Sequence, residues 1–153
     1  DDTEIIRISV NSENADSAKD IANEIAKSNA KKIYVCNIMT QPGETDGYSV
    51  SDHINALMKH AGSRKIIDAV LVNDFMPSNL AQKYQLSGSY PVKIDIENIK
   101  KLGVSIFSRK LIEDSKEGLV RHSSNRVARA VYYWFRKTQK GEKLKPSAKL
   151  MNN

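Results

Sequence analysis

The feature that most constrains this chain is the regular exchange of short β-rich apolar runs for stretches with helical spacing. Runs at residues 3–10, 33–38, 67–73 and 104–107 are built largely from Ile, Val, Leu, Tyr and Phe. Between the first two, residues 14–28 bring Ala18, Ile21, Ala22, Ile25 and Ala26 round at helical intervals, and between the next two Ile54, Leu57 and Met58 form one face. The run at 33–38 shows no polar alternation, as expected of a central strand covered on both sides. Almost strict alternation of this kind predicts an α/β fold, a three-layer Rossmann-like parallel sheet with helices on both faces.

Local signals place the element ends. Ser49 and Asp52 stand three apart, the spacing of a capping box, and Gly62 suits a left-handed helix stop. Pro77 fits the first turn of a short helix that reaches Leu86, and Asp95 is placed to cap another that ends at Gly103. Residues 119–122 read as a strand or as the approach to a last helix, which Ser123 or Ser124 can cap and in which Val127, Val131, Trp134 and Phe135 form an apolar stripe. One domain over residues 1–140 follows, with residues 141–153 as a flexible basic tail.

Charge is uneven. Residues 121–153 carry nine basic side chains against Glu142 alone, a net +8, which leaves the first 120 residues at −2 of the +6 total. The basic end is read as a solvated face rather than as a surface for nucleic acid or an anionic membrane. No apolar run is long enough to span a bilayer, the start Asp1-Asp2-Thr3-Glu4 is the opposite of a basic export signal, and the single cysteine, Cys36, lies within an apolar run. These features suggest a cytoplasmic chain whose cysteine is a small buried hydrophobe rather than a thiolate nucleophile.

In a parallel sheet, ligands sit beyond the carboxyl ends of the strands. That points to the segments after Ile38, Asn73 and Phe107, and above all to residues 37–48. Asn37, Thr40, Gln41, Glu44, Thr45, Asp46 and Tyr48 supply polar groups, and Gly43 and Gly47 allow close backbone approach. The loop feeds a helix N-terminus, which favours an anion. Glu44, Asp46 and Asp52 oppose bare phosphate capture and suit sugar hydroxyls, or a divalent ion bridging to phosphate. His53 and His60 are seven apart, where a zinc pair needs three or four, so neither is read as a metal ligand. Taken alone, Tyr84 reads as a packing tyrosine and Arg121 as a surface ion-pair partner. Arg121 and His122 nevertheless precede a helix N-terminus, where an arginine can clamp a diphosphate.

Residues 34–48, Tyr-Val-Cys-Asn-Ile-Met-Thr-Gln-Pro-Gly-Glu-Thr-Asp-Gly-Tyr, resemble the signature of the bacterial gluconeogenesis factor family, nucleotide-sugar-binding regulators related to 2-phospho-L-lactate transferase. Ser49-Val50-Ser51-Asp52-His53, Val70-Leu71-Val72-Asn73 and Leu119-Val120-Arg121-His122 fit the same pattern, so the resemblance covers residues 30–135. It implies a C-terminal portion of a larger domain. The family's glycine-rich nucleotide loop has no counterpart here, Ser9-Val10-Asn11-Ser12-Glu13 stand where a Gly-Pro-Gly-Ser loop is expected, and residues 1–29 do not match. The resemblance further implies a UDP-sugar ligand such as UDP-N-acetylglucosamine, a stacking role for Tyr84, a diphosphate-binding role for Arg121 beside His122, and Ser124 as an acceptor for phosphorylation. The expected function is a nucleotide-sugar-binding regulator of carbon metabolism, cell shape and cell-wall synthesis. The alternative is a transferase of phosphorus-containing groups, for which magnesium on Glu44, Asp46 or Asp52 would be the cofactor. A sheet cut from a larger one exposes an edge, so a homo-oligomer is expected.

Overall fold

The computed structural model describes residues 15–62, 65–113, 118–142 and 144–151. Its elements are α1 (Ala15–Lys27), β1 (Ile33–Val35), α2 (Val50–His60), β2 (Ala69–Asn73), α3 (Ser78–Gln85), α4 (Ile96–Lys101), β3 (Ser105–Arg109), α5 (Ser124–Gln139) and α6 (Ala148–Met151). The run expected as a strand at 3–10 lies outside the described residues.

The three strands form a parallel sheet in the order β1-β2-β3, with Val35 opposite Leu71 and Leu71 opposite Phe107. Side chains alternate between its faces. Val70, Val72 and Ile106 join Cys36, Ile54 and Ile99 in one core, against which α1, α2 and α4 pack. Ala69, Leu71 and Phe107 face Ala130 and Trp134 of α5 in a second core. The result is the expected three-layer α/β arrangement. Burial pushes the Cys36 thiol up to about 12, so it is a neutral core side chain, as its apolar neighbours suggested.

Two expectations change in detail. β1 ends at Val35, short of the predicted 38. The Cys36 N–H still donates to the Leu71 carbonyl, but the Ile38 carbonyl accepts from Val92, so the chain has left the sheet for the segment before α4. The tail expected to be flexible from its composition is partly docked: Leu144 packs on the α5-side core, Leu150 on the other, and the Ser147 N–H donates to Ser108 Oγ at 2.8 Å. Two leucines suffice to anchor a segment whose average composition is polar.

Among the described residues no helix is long and apolar enough to cross a membrane.

Candidate functional site

The loop after β1 is built mostly from its own side chains. The Gln41 carbonyl accepts from the Glu44 and Thr45 N–H groups, and Thr45 Oγ1 accepts from Gln41 N–H at 2.8 Å. Asp46 accepts from Gly43 N–H at 2.8 Å, across a turn in which Gly43 has φ +80 and Gly47 +71, values at which side chains are strained. Glu44 is exposed, with Gln41, Asp46 and Gly47 beside it, whereas Thr40 is buried. Thr40 bonds the neighbouring segment three times: its N–H donates to the Tyr90 carbonyl, its Oγ1 accepts from Tyr90 N–H, and its carbonyl accepts from Ser89 Oγ.

The helix N-terminus that the loop feeds is already supplied with an anion. Ser49 and Asp52 close the predicted capping box in both directions. Asp95, from the start of α4, accepts from the Ser51 N–H at 3.0 Å and from the hydroxyls of Ser49 and Ser51. Asp95 holds the N-cap position of α4 as expected, but its side chain makes no cap bond there and reaches across to α2 instead. Burial pushes its carboxyl up, and the hydrogen bonds from Ser51, Asn98 and Ser49 outweigh that and hold it below the ordinary value. A free phosphate would have to displace this carboxylate, so α2 is no bare phosphate cradle. Tyr48 meets His53 edge-on at 5.3 Å, and burial lowers the His53 imidazole against the opposing pull of Asp52.

Tyr84 is tied to the segment that carries Arg121. The Tyr84 hydroxyl accepts from Val120 N–H at 2.9 Å, and Lys83 Nζ donates to the Gly118 carbonyl at 3.2 Å, so residues 118–121 lie along α3. The Tyr84 carbonyl in turn accepts from Ser89 N–H, and Ser89 holds Thr40. One hydrogen-bonded path therefore links loop 37–48, Tyr84 and the segment carrying Arg121. Arg121 itself is exposed, and His122 is half-buried, paired with Ile112 through an isolated antiparallel bridge. Ser123 is the N-cap of α5, accepting from Arg126 N–H and donating to Glu113, which leaves Ser124 exposed in the first turn. Tyr84→Phe removes the acceptor for Val120. It should cost about 1 kcal/mol, roughly 3 °C in Tm, and speed amide exchange at Val120.

A cleft of about 550 Å³ opens at the strand ends. Ile38, Phe75, Met76 and Ile96 supply apolar walls, and Asp74, Asp95 and Glu97 the charge. Asn73 shapes it from below: its Oδ1 accepts from Leu111 N–H at 2.9 Å and its Nδ2 donates to the Phe75 carbonyl, tying the end of β2 to the end of β3. Sequence reasoning found the Asn73 motif but missed Asp74, Glu97 and the reach of Asp95. The signal for the last was the acid at the expected start of the helix that ends at Gly103. Among the described residues no three His, Cys, Asp or Glu side chains gather as a metal site.

Comparison with known proteins agrees with this architecture. A family model described as 2-phospho-L-lactate transferase CofD matches residues 17–112, which takes in α1 from residue 17, ahead of the start at residue 30 read from motifs alone. A relative from Bacillus subtilis named gluconeogenesis factor is 41% identical over 109 residues, covering 71% of this chain and 34% of its own length. A relative from Nostoc sp. is 44% identical over 117 residues, covering 76% of this chain and 26% of its own length. The crystal structure of a UPF0052 family protein from Bacillus halodurans superposes with a TM-score of 0.68 at 37% identity, covering 73% of this chain and 36% of that one. The chain thus spans about a quarter to a third of the length of these relatives.

Proposed function

This chain belongs to the 2-phospho-L-lactate transferase CofD family, and on that premise we propose that it forms the nucleotide-sugar-binding wall of a cytoplasmic regulator of carbon metabolism, cell shape and cell-wall synthesis. The ligand is a UDP-sugar of the UDP-N-acetylglucosamine kind. The observation that carries this reading is the hydrogen bond from Val120 N–H to Tyr84, which sets an aromatic ring beside the segment bearing Arg121. A ring can stack on uracil or a sugar face, and a guanidinium can take a diphosphate by paired hydrogen bonds. Because Asp95 supplies α2 with its anion, the diphosphate falls to Arg121 rather than to that helix. Asn37, the side chains of Gln41 and Glu44, the Thr45 hydroxyl as a donor and the backbone at Gly47 are then left for hydroxyls, with Thr40, Gly43, Asp46 and Tyr48 shaping the loop. His122 bridges to Ile112 just ahead of α5. Ser124, exposed three residues beyond Arg121, would on phosphorylation compete with the diphosphate for that guanidinium.

Calorimetric titration of UDP-N-acetylglucosamine is the test. Arg121→Ala should weaken binding by about 10- to 100-fold, the worth of charge-assisted hydrogen bonds. Equal affinity in the two proteins removes Arg121 from the site.

The family's description also names a transferase, and a magnesium-dependent phosphoryl step would draw on Glu44, Asp46 and Asp52. Asp46 and Asp52 each already hold a backbone N–H of their own turn, which favours the binder. A magnesium-dependent turnover of a UDP-sugar or phospholactate donor would reverse that preference. A homo-oligomer through an open sheet edge completes the proposal, and sedimentation checks it.

A further inference from the structure

We propose that the outward face of α5 binds single-stranded nucleic acid, with arginines taking phosphates and a tyrosine ring stacking on a base. The inference goes beyond the UDP-sugar site and does not rest on it. α5 turns Ala130 and Trp134 into the core against the sheet, with Val127, Val131 and Phe135 packed beside them. At about 100° of turn per residue, Arg126, Arg129, Tyr132, Tyr133, Arg136 and Lys140 fall within an arc of about 120° on the opposite side. All six are exposed, Tyr132 at 63% and Tyr133 at 42%. From Arg126 to Lys140 they step along about 21 Å of helix, one cation or ring at each turn.

In sequence the basic end reads as diffuse, solvated charge, whereas the helix sets four of its cations in one row with two rings between them. α5 holds no acid, and Glu142 just beyond it is paired with Lys137 at 2.6 Å. Among the described residues, Arg126, Arg129, Arg136 and Lys140 have no carboxylate within ion-pair distance. Tyr133 leans on Phe107 and lies 5.4 Å from the Arg109 guanidinium, so Tyr132 is the ring left to stack and Arg109 extends the cationic row toward β3. Cations that track a backbone beside rings that stack on bases are the two parts of a sequence-tolerant single-strand site. A lipid surface would need aliphatic side chains on this face, and α5 points those at the sheet. An acidic peptide would use the arginines and leave the rings idle.

Fluorescence anisotropy of the full chain with a labelled twelve-nucleotide oligothymidylate tests this. Binding should be seen at low salt and weaken steeply as salt rises. Arg129→Gln with Arg136→Gln should weaken it about 10- to 100-fold and lower the slope of log K against log salt by about 1.4, the share of two phosphate contacts on a single strand. Tyr132→Ala should cost about tenfold with the salt slope unchanged, and Tyr132→Phe should restore the affinity. These positions are exposed, so the circular dichroism spectrum should be that of the wild type in each, and the arginine pair carries the test should Tyr132→Ala misfold. No binding at low salt, equal binding by Arg129→Gln with Arg136→Gln, or indifference to a correctly folded Tyr132→Ala overturns the assignment. So does equal affinity for polyglutamate, a DNA duplex or phosphatidylglycerol vesicles. Saturating UDP-N-acetylglucosamine should leave the strand bound, and displacement by it would move the strand to the Arg121 site and overturn the assignment to α5. Failure of UDP-sugar binding leaves every other arm of the test intact.

Discussion

Asp95→Ala should lower stability by about 2–3 kcal/mol, roughly 5–10 °C in Tm, a large effect for one half-buried carboxylate. The reason lies in what it leaves behind. Ser51 would lose the acceptor of both its N–H and its hydroxyl, and Ser49 one of its partners, at buried positions. Orphaned buried donors cost more than an average hydrogen bond contributes. The pH dependence has a definite sign. The carboxyl is held below its ordinary value in the folded protein, so its contribution is present in full above about pH 4, the unfolded value. It is lost as pH falls through the lower folded value. Thermal unfolding between pH 6 and 3 should therefore show an acid limb that is flatter in Asp95→Asn, and an unaltered limb would place the depression elsewhere. The same substitution frees the N-terminus of α2, so an added anion should restore part of the lost stability to Asp95→Ala and none to the wild type.

This carboxylate also marks how far the sequence could be read. The periodic patterns set out the three-layer sheet because each element announces its buried faces locally: Val70 and Val72 to one side, Leu71 to the other. The capping box at Ser49 and Asp52 was legible for the same reason, since both halves lie within four residues. What sequence could not show is pairing at long separation. Asp95 binds residues 44 and 46 positions away, Asn73 binds Leu111, and Tyr84 binds Val120. Each side chain looked like an ordinary cap, strand end or packing ring, and only the crossovers of the sheet bring its partner within reach. The loop acids illustrate the converse. Glu44, Asp46 and Asp52 looked like three ligand groups, yet two of them spend a carboxylate oxygen on their own backbone. The composition of the end of the chain hid its docking, because a net charge averages over the two leucines that do the packing.

Phe107→Ala should be the more costly change, about 3–5 kcal/mol and more than about 10 °C in Tm, since it empties a fully buried ring-sized space between β3 and α5. Packing is only part of the loss. Phe107 stacks at 6.1 Å on Tyr133, and the Arg109 guanidinium lies 4.2 Å over its ring and 5.4 Å from the Tyr133 ring. Arg109 also donates to the Ser108 carbonyl, so the cation closes the end of β3 as a lid on the aromatic pair. Phe107→Leu separates the contributions. It keeps an apolar side chain of similar volume and should cost about 1–1.5 kcal/mol, part of it the ring and cation contacts. Because the space left by alanine is lined by Leu71, Leu111 and Trp134 of the same core, it should stay dry and take up benzene. Benzene should then raise the Tm of Phe107→Ala but not that of wild type. If it does not, α5 has collapsed onto the sheet, and with it would move Ser123 and the turn that carries Arg121. Weaker UDP-sugar binding in Phe107→Ala that benzene restores would tie the α5-side core directly to the geometry of that arginine.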